Sequence, residues 1–173
     1  MMEEPNTSVE YWLRGPVHGV PLLLQPVAHA LLQAQSEIKE LMRTFPEELL
    51  WEQPAGVASV GFHIQHITGV LDRLFTYAKG KPLSMQQLKY LSEEGLEDDR
   101  ILITTIIKNM DEQVRRSIDY LKLTDLSALT DLRTVGRKQL ASSVIGLLFH
   151  AAEHTMRHTG QLSVTARIMT NEE

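Results

Sequence analysis

Four stretches of the chain place apolar residues three and four positions apart, the repeat of a helix with one buried stripe. In the first, from about Leu22 to Phe45, the seam is Val27, Leu31, Ala34, Ile38, Leu41 and Phe45. The second, from about Val57 to Lys79, carries Val60, Ile64, Ile67, Leu71, Leu74 and Ala78. The third, from about Asp98 to Leu121, carries Ile103, Ile106, Met110, Val114, Ile118 and Leu121. The fourth runs from about Ala141 to Met169.

Punctuation supports these bounds. Pro26 suits the first turn of a helix, and Pro46 follows the end of the same pattern. Ser59 can cap the second helix and Gly80 can end it; Ser142 or Ser143 can cap the fourth. Acidic residues near Asp98 suit the dipole of the third. A short helix is expected over Ser84 to Glu93. The stretch Thr124 to Gln139 reads as a loop with short extended pieces. The pattern therefore predicts an all-α four-helix bundle with no sheet beyond a short hairpin. Tyr11-Trp12-Leu13-Arg14-Gly15-Pro16 reads as an arm packing across the bundle. We expect a single domain over residues 1–173, with residues 1–20 as that N-terminal arm.

Composition narrows the chemistry. The 173 residues include no cysteine, so disulfides, thiolate zinc sites and a cysteine nucleophile are excluded. The net charge is −5 and no basic stripe is present, which argues against nucleic acid as the main partner. No apolar run approaches the ~20 residues of a membrane span. The Met1-Met2-Glu3-Glu4 start lacks the basic and apolar regions of a secretory signal. A cytoplasmic protein with no membrane partner is the expectation.

Histidine carries the strongest signal. Five of the seven fall in two segments, His63 and His66 on the second helix and His150, His154 and His158 on the fourth. Imidazole is a common ligand for zinc and nickel, and i, i+4 spacing puts two rings on one helix face. His150 and His158 stand roughly 12 Å apart along a helix axis, too far to share an ion. One helix thus offers one adjacent pair. With about 100° per residue, Val144, Leu147, Ala151, Leu162, Thr165 and Met169 form one stripe. His158 lies near its centre, His154 roughly 50° away and His150 about 90° away. The wheel selects His154 and His158 and leaves His150 flanking. A third ligand must come from elsewhere, and either His63 or His66 could reach.

A blander alternative is a set of core or boundary histidines with satisfied hydrogen bonds. Two rings facing a core need partners for both nitrogens, and a metal supplies one directly. Glu153, Asp72 and Gln161 are candidates to orient a ligand ring or bound water, though each type is more often a surface or packing residue. Arg73 and Arg157 read first as solvated helix-surface charges and second as anion binders.

The run His150-x3-His154-x3-His158-Thr159-Gly160-Gln161, preceded by Ser59-x6-His66, resembles the DinB/YfiT-like metalloenzymes. Ser59-Val60-Gly61-Phe62-His63 and Asp72-Arg73-Leu74 add to the likeness, which spans about Pro21 to Met169. The resemblance implies an up-down-down-up bundle and a divalent ion, nickel or zinc, held by His66, His154 and His158. His63 and His150 lie outside that ligand set. Some members of the family are thiol S-transferases or isomerases using glutathione, mycothiol or bacillithiol, and homodimers are common. The expectation is a metal-dependent transferase or hydrolase that activates a low-molecular-weight thiol or water for a small-molecule substrate. Its rivals are a non-catalytic metal-binding stress or sensor protein and a helical interaction module with structural histidines. Extra apolar residues beyond the seams, namely Leu22, Leu23, Leu32, Leu102 and Ile107, point to a homodimer.

Overall fold

The computed structural model describes residues 9–98 and 100–170. Among the described residues five α-helices form, four of them long: α1 (Gln25–Met42), α2 (Val60–Ala78), α3 (Met85–Glu93), α4 (Ile103–Lys122) and α5 (Val144–Thr170). Two short strands, β1 (Leu132–Val135) and β2 (Leu140–Ser143), pair antiparallel between α4 and α5.

The caps explain where the helices begin and end. Ser59 Oγ accepts the Phe62 N–H at 3.1 Å and opens α2. Gly80 closes it with φ +68°. Its N–H reaches the Tyr77 carbonyl at 2.8 Å and the Lys81 N–H reaches Thr76 at 3.2 Å, the paired bonds of a glycine-terminated helix. Ser84 and Gln87 form a reciprocal capping box at the start of α3. Ser143 Oγ accepts the Gly146 N–H at 3.1 Å and caps α5. Pro26 occupies the first turn of α1.

One predicted start is displaced. α4 begins at Ile103 rather than near Asp98, and no acid lies in its first turn. Asp98 instead binds the main chain and guanidinium of Arg100 at 3.0 and 2.8 Å. The first N–H of α4 is met by Glu47, which arrives from the turn after α1. A carboxylate from another segment replaces the expected local one.

The seams meet in one core. Leu31, Ile38, Ile64, Ile67, Leu71, Met110, Leu121, Leu148 and Leu162 are all fully buried. Each of α1 and α2 packs against both α4 and α5, which gives the up-down-down-up bundle. Residues 9–20 are tied to α1. The Tyr11 N–H donates to Gln33 Oε1 at 2.9 Å, and the Gln25 amide joins Val17 to Val20 at 2.7 Å each. Residues 1–8, the remainder of the expected arm, lie outside the described residues. Leu32 and Ile107 pack partly against the core, whereas Leu22, Leu23 and Leu102 stay exposed. Among the described residues, no helix is long and apolar enough to cross a membrane.

Candidate metal centre

α2 and α5 run antiparallel, so a residue early in α2 faces one late in the histidine run of α5. His63 Nδ1 lies 2.9 Å from His158 Nδ1, and His66 Nε2 lies 2.9 Å from His154 Nε2. One potential ligand atom from each of His66, His154 and His158 falls within a mutual 4.8 Å. His150 is exposed and turns toward Glu153, its Nδ1 3.3 Å from Oε2. His150, Glu153 and His154 also form a compact group, more open to solvent than the triad.

The outer partners of these rings set their tautomers. Glu94 accepts from His66 Nδ1 at 2.7 Å. A carboxylate can only accept, so the His66 proton sits on Nδ1 and the lone pair on Nε2. Glu94 is held in turn by Arg73 at 2.5 Å, and the two side chains are 3 % and 9 % exposed. His158 meets His63 through Nδ1, which leaves its Nε2 as the free nitrogen. Phe62 stacks on His66, with centroids 5.2 Å apart and planes 13° from parallel.

Burial favours the neutral form of His63, His154 and His158. Burial, followed by the adjacent His66, pushes His63 down to about 4. Burial, followed by the His66 and His154 rings, pushes His158 down to about 3. His154 is lowered as well, by burial first and then by His66. Neutral imidazole is the form that donates a lone pair to a metal.

A fit to a cation follows from what the rings cannot satisfy among themselves. With the His66 lone pair on Nε2, the facing His154 Nε2 must donate to it. His154 Nδ1 then carries a lone pair, yet it is buried with no partner among the described residues. Reversing the His154 tautomer sets two lone pairs against each other at 2.9 Å. Either arrangement leaves a buried nitrogen unsatisfied or opposed, which costs free energy. A cation between the rings accepts both Nε2 lone pairs and removes their opposition, while His154 Nδ1 then carries the proton and stays without a partner among the described residues.

The sequence-predicted groups divide clearly. Asp72 is engaged by Gln87 at 2.8 Å. Gln161 is exposed. Glu153 pairs with Arg157 and His150. The reading of Arg73 as a solvated surface charge is overturned, because it is buried against Glu94. Sequence reasoning did not find Glu94, the carboxylate that orients His66. A signal for it exists on α2, where His66, Gly69 and Arg73 share one face. A glycine inside a helix marks a close approach. A Cβ on Gly69 would stand 2.1 Å from Glu94 Oε1 and 2.6 Å from Arg73 Nη1. The missing methyl is what lets the carboxylate reach the helix.

The DinB superfamily sequence profile matches residues 30–162, most of the chain and all five clustered histidines. The chain belongs to the DinB superfamily. No curated protein matches it by sequence. Among solved structures, it is similar to a conserved protein from Enterococcus faecalis, with a TM-score of 0.70 at 15 % identity. That alignment covers 87 % of this chain and 98 % of the other. At such identity the likeness speaks for the fold alone. Membership and the histidine triad together describe a DinB-type bundle able to hold a metal ion.

Proposed function

We propose that this chain is a metal-dependent enzyme of the thiol S-transferase or hydrolase type, with His66, His154 and His158 holding one divalent ion, nickel or zinc. The observation that carries the proposal is the convergence of three histidines, one from α2 and two from α5, within a mutual 4.8 Å. Bound there, a dication would bring a coordinated water or thiol to a pKa near neutrality and so supply hydroxide or thiolate as nucleophile.

The protein's own residues prepare that chemistry. Glu94 fixes the His66 tautomer and raises the basicity of its ring. Arg73 keeps Glu94 in place and compensates its charge in the buried setting. His63 holds His158 through its Nδ1, and with His63 as the acceptor the His158 lone pair is left on Nε2 for an ion. An imidazole ligand brings no charge, so an ion held by three of them would keep its full charge for the substrate. The triad is only half-buried, so a small molecule can approach it. The proposal extends to a homodimer, supported by the exposed Leu22 and Leu23 in the turn just before α1.

Elemental analysis of untagged protein tests the metal, with close to one equivalent of nickel or zinc expected. Thiol conjugation of an electrophile such as chlorodinitrobenzene, with glutathione, bacillithiol and mycothiol in turn, tests the activity. Turnover that disappears with a chelator supports the proposal. Bound metal with no turnover on any thiol and no hydrolysis would leave a non-catalytic metal-binding protein.

A further inference from the structure

Beside the histidines lies a cleft of about 570 Å³ between the residues that lead into α2 and the C-terminal half of α5. Its size falls within the range of small-molecule sites, roughly 300–1,000 Å³. Val57, Val164 and Ile168 form its apolar walls and are 49 %, 60 % and 58 % exposed. Three large aliphatic side chains left open around one concavity mark a binding surface more than a random scatter. His63 closes the inner wall, and the same ring is hydrogen-bonded to His158. The cleft therefore reaches a ring that touches the histidine centre.

Two further observations say what it takes. Among the described residues no carboxylate lines the cleft, although the chain is acidic overall with net charge −5. Its charged lining residue is Arg157, with the Gln161 amide close by in sequence. Arg157 gives one nitrogen to Glu153 and has further N–H donors to offer. The second observation is Gly160, also in the lining. A glycine within a helix costs about 1 kcal/mol relative to alanine. Gly160 is not at positive φ, and a Cβ there would meet nothing within 4 Å. Neither backbone nor packing needs this glycine; what it provides is room.

We propose that this cleft binds a small amphiphilic anion, an alkyl or aryl chain bearing one carboxylate-like group, as the substrate seat of the histidine centre. The apolar body lies along Val57, Val164 and Ile168, and the anionic group takes Arg157 and Gln161. As a substrate seat the assignment rests on the metal-enzyme reading; as a binding site it stands on its own lining.

Octanoate and octylamine are suitable probes, titrated into the full-length protein with and without zinc and followed by amide and methyl NMR shifts. Octanoate should shift Val57, Gly160, Gln161, Val164 and Ile168, and octylamine should bind at least tenfold more weakly. Gly160→Leu, which grows a side chain into the cleft, should weaken octanoate at least tenfold, while Gly160→Ala stays within twofold. Zinc titration of Gly160→Leu should match the wild type, and its melting curve establishes that it folds. Equal binding of octylamine, shifts centred elsewhere, or full octanoate affinity in Gly160→Leu would each overturn the cleft assignment. Wild-type protein that binds octanoate as expected but takes up no zinc or nickel would overturn the metal reading, and the role as its substrate seat with it.

Discussion

Gly69→Ala sets two expectations against each other. By helix propensity the change stabilises an α2 interior position by about 1 kcal/mol. The structure predicts the reverse. The new Cβ would sit 2.1 Å from Glu94 Oε1, where ordinary contact begins at 3.4 Å, so the carboxylate must retreat by about 1.3 Å. Retreat in another direction is restricted, because Arg73 Nη1 and the Tyr90 ring would stand 2.6 and 2.8 Å from the same atom. Oε1 is the oxygen that Arg73 holds, and because the carboxylate moves as a unit a shift of that size also lengthens the 2.7 Å bond from His66 to Oε2. A hydrogen bond to a charged group contributes about 1.5–3 kcal/mol, so the net expectation is a loss of about 0.5–2 kcal/mol despite the propensity gain. Loss of the outer partner should also weaken zinc or nickel binding about 10–100-fold, or about 1.4–2.8 kcal/mol. Urea denaturation of the metal-free protein and calorimetric metal titration measure the two effects separately. A more stable variant with wild-type metal affinity would refute the idea that Glu94 is seated by the missing methyl and orients His66.

His66→Ala, His154→Ala and His158→Ala should each abolish tight metal binding, whereas His150→Ala should weaken it modestly at most; calorimetry on the four variants decides, and metal retained by His158→Ala but lost from His150→Ala would reverse the assignment. Glu94→Gln should lower metal affinity about 10–100-fold and also destabilise the fold, since it leaves Arg73 buried without its counter-charge; normal affinity in a merely less stable protein would make Glu94 structural only. The metal-free protein should lose stability as the pH falls from about 6.5 toward 4. His63 and His158 are held at about 4 and about 3, while the unfolded chain takes up protons near the ordinary histidine value of about 6.5. The unfolded state therefore binds more protons across that window, and a urea midpoint that is flat from pH 7 to pH 5 would contradict the lowered values. Light scattering at micromolar concentration should report a dimer, and Leu22→Glu/Leu23→Glu should convert it to a monomer.

The bundle was legible because each long helix carries its own apolar stripe, and a period of three and four needs no tertiary information. Ser59, Gly80 and Ser143 marked boundaries through local chemistry, and those marks hold in the structure. The start of α4 was not legible, because Glu47 comes from 56 residues earlier to meet the Ile103 N–H. The centre divided in the same way. His154 and His158 follow from positions on one wheel, but the contacts of His63 with His158 and of His66 with His154 depend on how two helices align. Glu94 lies after a short helix whose sequence says nothing of where it docks. Its trace was indirect, a glycine and an arginine on the His66 face of α2, and the arginine was misread because a buried ion pair looks like any surface charge until its partner is known.

α3 buries none of its own residues, and its polar ties account for its seat against α2. Gln87 bonds Asp72 and Thr76 at 2.8 Å each, Tyr90 Oη donates to the Gln65 carbonyl at 3.2 Å, and just beyond the helix Glu94 takes Arg73 and His66. One end of this clip thus grips a ring of the centre itself. Binding equilibria that share a group are reciprocal. Whatever tightens His66 on an ion tightens α3 on the bundle by the same free energy, and whatever peels α3 away loosens the ion equally. Amide exchange along Met85–Glu93 then serves as a gauge of metal occupancy, read on a segment that carries no ligand.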